Sequence, residues 1–182
     1  MLSVIKAKGD VLVPETYLNQ ADADRDVFVV QGCNAQGVMG SGLAKQVKSK
    51  FIRAFEAYRK DFNKPLTDVE KKELLGKVSV ARYDRPNGLS NLIICNAITQ
   101  FTYGFDKRVR YTSYDAVDLA VVNLIKRISA IKNRNSSVVI AIPKLFASDR
   151  GNADWGVVKK IIKSRLEDSS LYVTLYIVEH DV

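Results

Sequence analysis

Apolar positions along the chain follow two alternating rhythms. Short unbroken apolar runs at Val27–Val30, Leu92–Cys95, Val138–Ile142 and Leu171–Val178 have the pattern of strands buried on both faces. Val78–Tyr83 alternates more and predicts a half-buried strand, and Ser3–Ala7 and Val11–Val13 predict edge strands. Between the runs the period changes to that of helices. Leu43, Val47, Phe51, Phe55 and Tyr58 form one stripe, which predicts a single amphipathic helix. A second helix is predicted over Ser113–Ile131, with Ala116, Leu119, Ala120, Val122, Leu124 and Ile128 as its apolar positions. A third runs over Asp154–Leu166, with Asp154 where an N-cap belongs. Asp68–Leu75 predicts a shorter helix inside a mostly polar excursion, 63–75.

Strands alternating with long amphipathic helices imply an α/β fold, with helices on both faces of a sheet. No Ser/Gly/Pro-rich linker, repeat or low-complexity tract interrupts the pattern, so one domain over residues 1–182 is expected. The 47% apolar fraction suffices for a core, and no stretch approaches the ~20 apolar residues a bilayer requires. The opening MLSVIKAKGD reads as a strand and its turn, not as a signal peptide. Cys33 and Cys95 lie in or beside apolar runs and are expected as buried, reduced thiols of a cytoplasmic protein. With His180 the sole histidine, neither a metal nor a cofactor is expected. The net charge of +8 favours anionic partners. That excess is spread along the chain, and the basic residues from Lys45 to Lys60 read as a solvated helix face.

The segment Gln31–Ala44, QGCNAQGVMGSGLA, changes the picture most. A buried strand runs into glycines at 32, 37, 40 and 42, and a helix starts at once. Glycine lets backbone approach an anion, and the first N–H groups and the dipole of a helix favour negative charge. The loop lacks the Gly-Lys-Ser/Thr ending of a P-loop, and its G-x-x-G-x-G spacing reverses the dinucleotide fingerprint.

GCNAQGVMGSGLAKQVKSKF resembles the first ligand loop of macro domains, in the branch of ADP-ribose 1″-phosphate phosphatases and small de-ADP-ribosylating proteins. KGD at Lys8–Asp10, ITQFTYG at Ile98–Gly104, RYTSYDAV at Arg110–Val117, and IAIPK followed by DWGVV at Ile140–Val158 resemble further family segments in the same order. The resemblance implies a three-layer α/β/α macro-type fold around a central mixed, largely parallel sheet. It implies that Asp10 holds the adenine edge and that Asn34 reaches the distal ribose. Gly37, Val38, Met39, Gly40, Ser41, Gly42 and Leu43 would then wrap the distal ribose and diphosphate, with Ser41 adding a hydroxyl. The second ligand loop, usually of the form PKIGxGLAGGDW, reads PKLFASDRGNADW here: one residue is inserted, and Gly151 alone of the glycines is kept. Ser148 and Arg150 are the side chains that substitute as phosphate donors.

Two acids are catalytic candidates, Asp149 as a general base before Arg150, and Asp154, which helix capping also explains. The strand LIICNA has no lysine where a covalent de-ADP-ribosylating branch carries one. The expectations are therefore metal-free hydrolysis of ADP-ribose 1″-phosphate, or in the same pocket a de-ADP-ribosylating hydrolysis that cleaves ADP-ribose from a modified acidic side chain, or binding of ADP-ribose or an ADP-ribosylated protein without turnover. Nucleic acid ranks last, for want of an RNA-recognition motif. Tyr103, Phe105, Tyr111, Tyr114 and Tyr176 are candidates to stack on adenine. The expected location is cytoplasmic, a host's cytoplasm for a viral gene.

Overall fold

A computed structural model describes residues 1–132 and 137–181. Six strands form one sheet: β1 (Leu2–Gly9), β2 (Val27–Asn34), β3 (Val78–Asp84), β4 (Asn91–Gln100), β5 (Ser137–Pro143) and β6 (Tyr172–His180). Their spatial order is β1-β6-β5-β2-β4-β3. All neighbouring pairs are parallel except β3 with β4, so the sheet is mixed and largely parallel.

The helices are α1 (Gly42–Lys50), α2 (Ile52–Arg59), α3 (Asp68–Glu73), α4 (Tyr114–Ile131) and α5 (Trp155–Asp168). Strand alternation sorts the side chains between two cores. Phe28, Val30, Ile93 and Cys95 face α4 and α5 with Val117, Leu124, Val158 and Ile162. Val27, Val29, Cys33 and Ile94 face the other way, with Val47, Ala54 and Tyr58 of α1 and α2. The long apolar runs are therefore buried on both faces and form the middle layer of three, as expected of a parallel sheet.

Two local expectations are corrected. Val11–Val13 is a turn, not an edge strand: the Val13 N–H donates to Asp10 O at 2.8 Å, and the Leu12 N–H donates to Asp10 Oδ1 at 2.9 Å. Val11 and Leu12 are apolar because they enter the core as loop residues. The predicted single helix over the 43–58 stripe breaks at Phe51 (φ −131°, ψ 65°). The break is held by Tyr83, whose hydroxyl accepts the Ala54 N–H at 3.0 Å and whose ring meets Phe51 edge-on at 5.0 Å. Nothing in the helical stripe reveals a partner that far along the chain. Among the described residues no helix is long and apolar enough to cross a membrane, and no cluster of metal-ligating side chains is present.

Candidate functional site

The chain leaves β2 toward α1 and α2 on one face and reaches β4 on one side. It leaves β5 toward α5 on the opposite face and reaches β6 on the other side. The carboxyl ends of β2 and β5 therefore flank a topological switch point, where open α/β sheets form a crevice. Pairing between these strands covers only Val27–Val29 with Val139–Ala141. Beyond that they part, and a cleft of ≈ 460 Å³ opens between their ends.

Three walls enclose it. The first is the loop from Asn34 into α1, the second the loop after β5 from Lys144 to Gly151, and the third the end of β4 at Gln100 with the segment after it carrying Tyr103 and Phe105. Gln31, Gly32 and Cys33 form the floor.

The first loop is shaped by bonds to its own flank. Asn34 Nδ2 donates to Val38 O at 2.8 Å, and Asn34 Oδ1 accepts the Gln36 N–H at 3.0 Å. The buried Tyr58 hydroxyl donates to Asn34 O at 2.7 Å, and Arg59 Nη1 donates to Gly37 O at 3.1 Å. Gly37 has φ +76°, and a Cβ there would press on Arg59 and the Phe62 ring, so position 37 requires glycine. The loop delivers its backbone to an uncapped helix. The Ser41 side chain makes no capping bond, whereas α3, α4 and α5 start on capping side chains from Thr67, Ser113 and Asp154. The N–H groups of Gly40 through Ala44 donate to no protein acceptor among the described residues. Orphan donors at a helix start, with the dipole behind them, form an anion site.

The second loop faces it. Arg150 Nε lies 3.8 Å from where a Gly42 Cβ would stand, so the guanidinium sits across the cleft from the α1 start. Asp149 and Arg150 are exposed, line the cleft and make no ion pair among the described residues. Lys144, also on the cleft, pairs with Glu179 at 3.1 Å.

Three non-glycine residues of this loop are left-handed: Leu145 (φ 65°), Ala147 (φ 55°) and Asn152 (φ 53°). The surroundings hold them there. Phe146 is buried in the core, Thr112 Oγ1 donates to Ala147 O at 2.5 Å, and Asn152 Nδ2 donates to Asp106 O at 2.9 Å and Val109 O at 2.7 Å. A left-handed residue with a side chain costs about 1–2 kcal/mol, and asparagine tolerates the region best. Ala147→Gly should therefore raise stability by about 0.5–1 kcal/mol after glycine's larger unfolded-state entropy is counted. A thermal melt checks this, and an unchanged or lower midpoint would show that Ala147 is not strained.

Of the residues expected from sequence, Asn34, Val38, Gly40, Ser41, Gly42, Leu43, Asp149, Arg150 and Gly151 line the cleft. Others do not. Gly37 holds the loop from behind, and Met39 is 2% exposed and packs in the core. Ser148 is buried with its hydroxyl donating to Phe146 O at 3.2 Å, so its donor is already used. Asp154 accepts the Val157 N–H at 3.2 Å as the cap of α5 and stands outside the cleft. Asp10 lies at the end of β1, two strands beyond β5, with Oδ1 closing its own turn.

Tyr176 is corrected as a stacking candidate. Its ring is fully buried and its hydroxyl donates to Asp22 Oδ2 at 2.6 Å; burial and that bond push the phenol up to about 12. Tyr111 and Tyr114 serve as acceptors for the Asp106 and Asp154 N–H groups. Tyr103 and Phe105 remain on the cleft. The Cys33 thiol is on its floor, but burial pushes its pKa well up and keeps it protonated.

Gln31, Gln100 and the anchor Tyr58 join the site without a motif to mark them. Gln31 is 2% exposed, its Nε2 donates to Asn96 Oδ1 at 2.8 Å, and its Oε1 has no partner among the described residues. A glutamine inside a strand otherwise apolar was the available signal.

No family model matches the sequence. A protein of Candida albicans (strain SC5314) named ADP-ribose 1″-phosphate phosphatase is 24% identical over 172 residues, which cover 94% of this chain and 97% of that protein. Among solved structures, the macrodomain of Mycobacterium tuberculosis DarG superposes with a TM-score of 0.64 at 22% identity, covering 96% of this chain and 97% of the other. Thermosipho africanus DarTG in complex with ADP-ribose superposes with a TM-score of 0.56 at 18% identity, over 82% of this chain and 37% of that one. The six-stranded mixed sheet between two helical layers is a fold shared with these two structures. The chain thus has a macrodomain-like α/β fold.

Proposed function

We propose that the cleft binds ADP-ribose and that the chain hydrolyses ADP-ribose 1″-phosphate to ADP-ribose and inorganic phosphate. The observation that carries the reading is the uncapped start of α1, whose free N–H groups face Arg150 across the crevice. Backbone donors on one side and a guanidinium on the other suit a diphosphate. The Candida relative's name and the ADP-ribose bound to Thermosipho DarTG support the same ligand.

The adenine end then points along the strand ends toward Asp10, and the distal ribose toward the β4 side. In the reaction, Asp149 takes a proton from a water that attacks the terminal phosphorus. The bond from phosphorus to the C1″ oxygen breaks, that oxygen keeps the electron pair and is protonated by solvent, and phosphate leaves. Arg150 offsets the negative charge that develops. Binding of ADP-ribose or an ADP-ribosylated protein without turnover is the alternative, favoured by the loss of glycines from the second loop.

Titration calorimetry with ADP-ribose should give a dissociation constant on the order of micromolar, about −8 kcal/mol; flat heats would sink the reading. Asp10→Asn separates two roles of one residue. The amide oxygen can still accept the Leu12 N–H, while the other position becomes a donor facing the adenine amino group. Affinity should fall by about 1–3 kcal/mol with the melting temperature held. Equal affinity would reject the adenine assignment.

A further inference from the structure

Two large aromatic side chains stand on the rim of the cleft with most of their surface in water: Tyr103 is 51% exposed and Phe105 77%. Exposed rings are unremarkable when scattered singly, but these two flank one glycine on the wall of the same crevice.

The backbone that carries them is held in place. Gly104 lies so close to the Tyr111 ring that a Cβ would overlap it. The Tyr111 hydroxyl accepts the Asp106 N–H at 3.2 Å, and Asn152 donates to Asp106 O and Val109 O. Gly151 O accepts the Tyr111 and Thr112 N–H groups at 2.8 and 3.1 Å. The rim and the second loop therefore form one cross-linked unit, and the backbone that carries the rings is tied to the wall that carries Asp149 and Arg150, which lowers the ordering cost of binding.

Their place in the sheet order says which end of a ligand they meet. Asp10 ends β1 and the rings follow β4, on opposite sides of the β2/β5 crevice. Four strand spacings separate β1 from β4, about 19 Å at ~4.8 Å per spacing. A ligand whose base points to Asp10 and whose diphosphate lies on α1 has its far end at the rings.

We propose that Tyr103 and Phe105 form a subsite for a flat heteroaromatic ring carried on the anomeric carbon of the distal ribose, so that the ligands bound best are ADP-ribosyl compounds of dinucleotide form. This rests on the ADP-ribose reading of the cleft. A flat ring against these aromatics gains stacking area, and a cationic ring adds attraction to their faces.

NAD and ADP-ribose are the probes, since NAD carries a cationic ring at that carbon. Calorimetry on the full chain should show NAD binding about fivefold or more tightly than ADP-ribose. Phe105→Ala and Tyr103→Ala, both at exposed positions, should each narrow that ratio toward one. NAD binding no tighter than ADP-ribose, or a ratio unmoved in both variants, overturns the subsite while leaving the ADP-ribose reading intact. Absence of binding by either nucleotide overturns both.

Discussion

Asp149→Ala should release phosphate from ADP-ribose 1″-phosphate about 100-fold or more slowly than the native chain, the usual loss when a positioned general base is removed. Asp149 is exposed on the cleft wall beside Arg150, without an ion pair among the described residues to occupy its carboxylate. Its backbone N–H is already used, donating to Leu145 O at 3.1 Å, so the loop holds the residue while the side chain stays available. Asp149→Asn keeps the shape and removes the base, and should be as slow as the alanine variant. Neither should lower the melting temperature, since the side chain supports no other group. Asp154→Ala provides the contrast: it removes the cap of α5, costs about 1 kcal/mol of stability and slows the reaction far less. Phosphate release measured for the three variants decides between the two acids. Equal rates for the native chain and Asp149→Ala would remove Asp149 from the mechanism. Tight ADP-ribose binding with no phosphate release from the native chain would leave the protein a binding module.

Much of the architecture was legible because the physics behind it is local. Strands buried on both faces require unbroken apolar runs, and Val27–Val30, Leu92–Cys95 and Val138–Ile142 are such runs at the middle of the sheet. The first loop was legible because its glycines mark where backbone must approach an anion or turn left-handed. What escaped depends on partners far along the chain. Phe51 breaks its helix because Tyr83 waits there with a ring and a hydroxyl acceptor. Tyr58 looks like another stripe residue, yet its hydroxyl, 24 residues away in sequence, fixes the Asn34 carbonyl. Gln31 lines the cleft only because β2 and β5 cease to pair after Val29. The second loop misleads in another way. Its missing glycines suggest a degraded backbone cradle, but Leu145, Ala147 and Asn152 adopt left-handed backbone without glycine. The required energy comes from Phe146 in the core and from Thr112 and Asn152 bonding across to neighbouring carbonyls, none of which a pattern of glycines can display.

The one glycine kept in that loop should be the least replaceable. A Cβ at Gly151 would overlap the Thr112 side chain and the Ala147 carbonyl oxygen. Neither can yield cheaply. Thr112 is 1% exposed, and its hydroxyl and the Ala147 carbonyl are bonded to each other at 2.5 Å. The Gly151 carbonyl also accepts both the Tyr111 and Thr112 N–H groups, so moving residue 151 breaks the seam between the second loop and the rim. Gly151→Ala should thus cost about 2–4 kcal/mol, through overpacking and lost buried hydrogen bonds, which lowers the melting temperature by several degrees in a chain of this length. Function should suffer more than stability. Arg150 and Asp149 precede this glycine directly, and a displacement of about 1 Å in groups that position a substrate costs on the order of 100-fold in rate. The sharpest readout is a pair of variants. Thr112→Ala removes the hydroxyl nearest that Cβ together with its bond to Ala147 O, so alone it should lower the melting temperature; combined with Gly151→Ala it relieves the closest overlap, and the double variant should lose less stability than the two single losses added. Full stability and binding in Gly151→Ala alone would mean that the seam between loop and rim does not hold the second wall of the cleft.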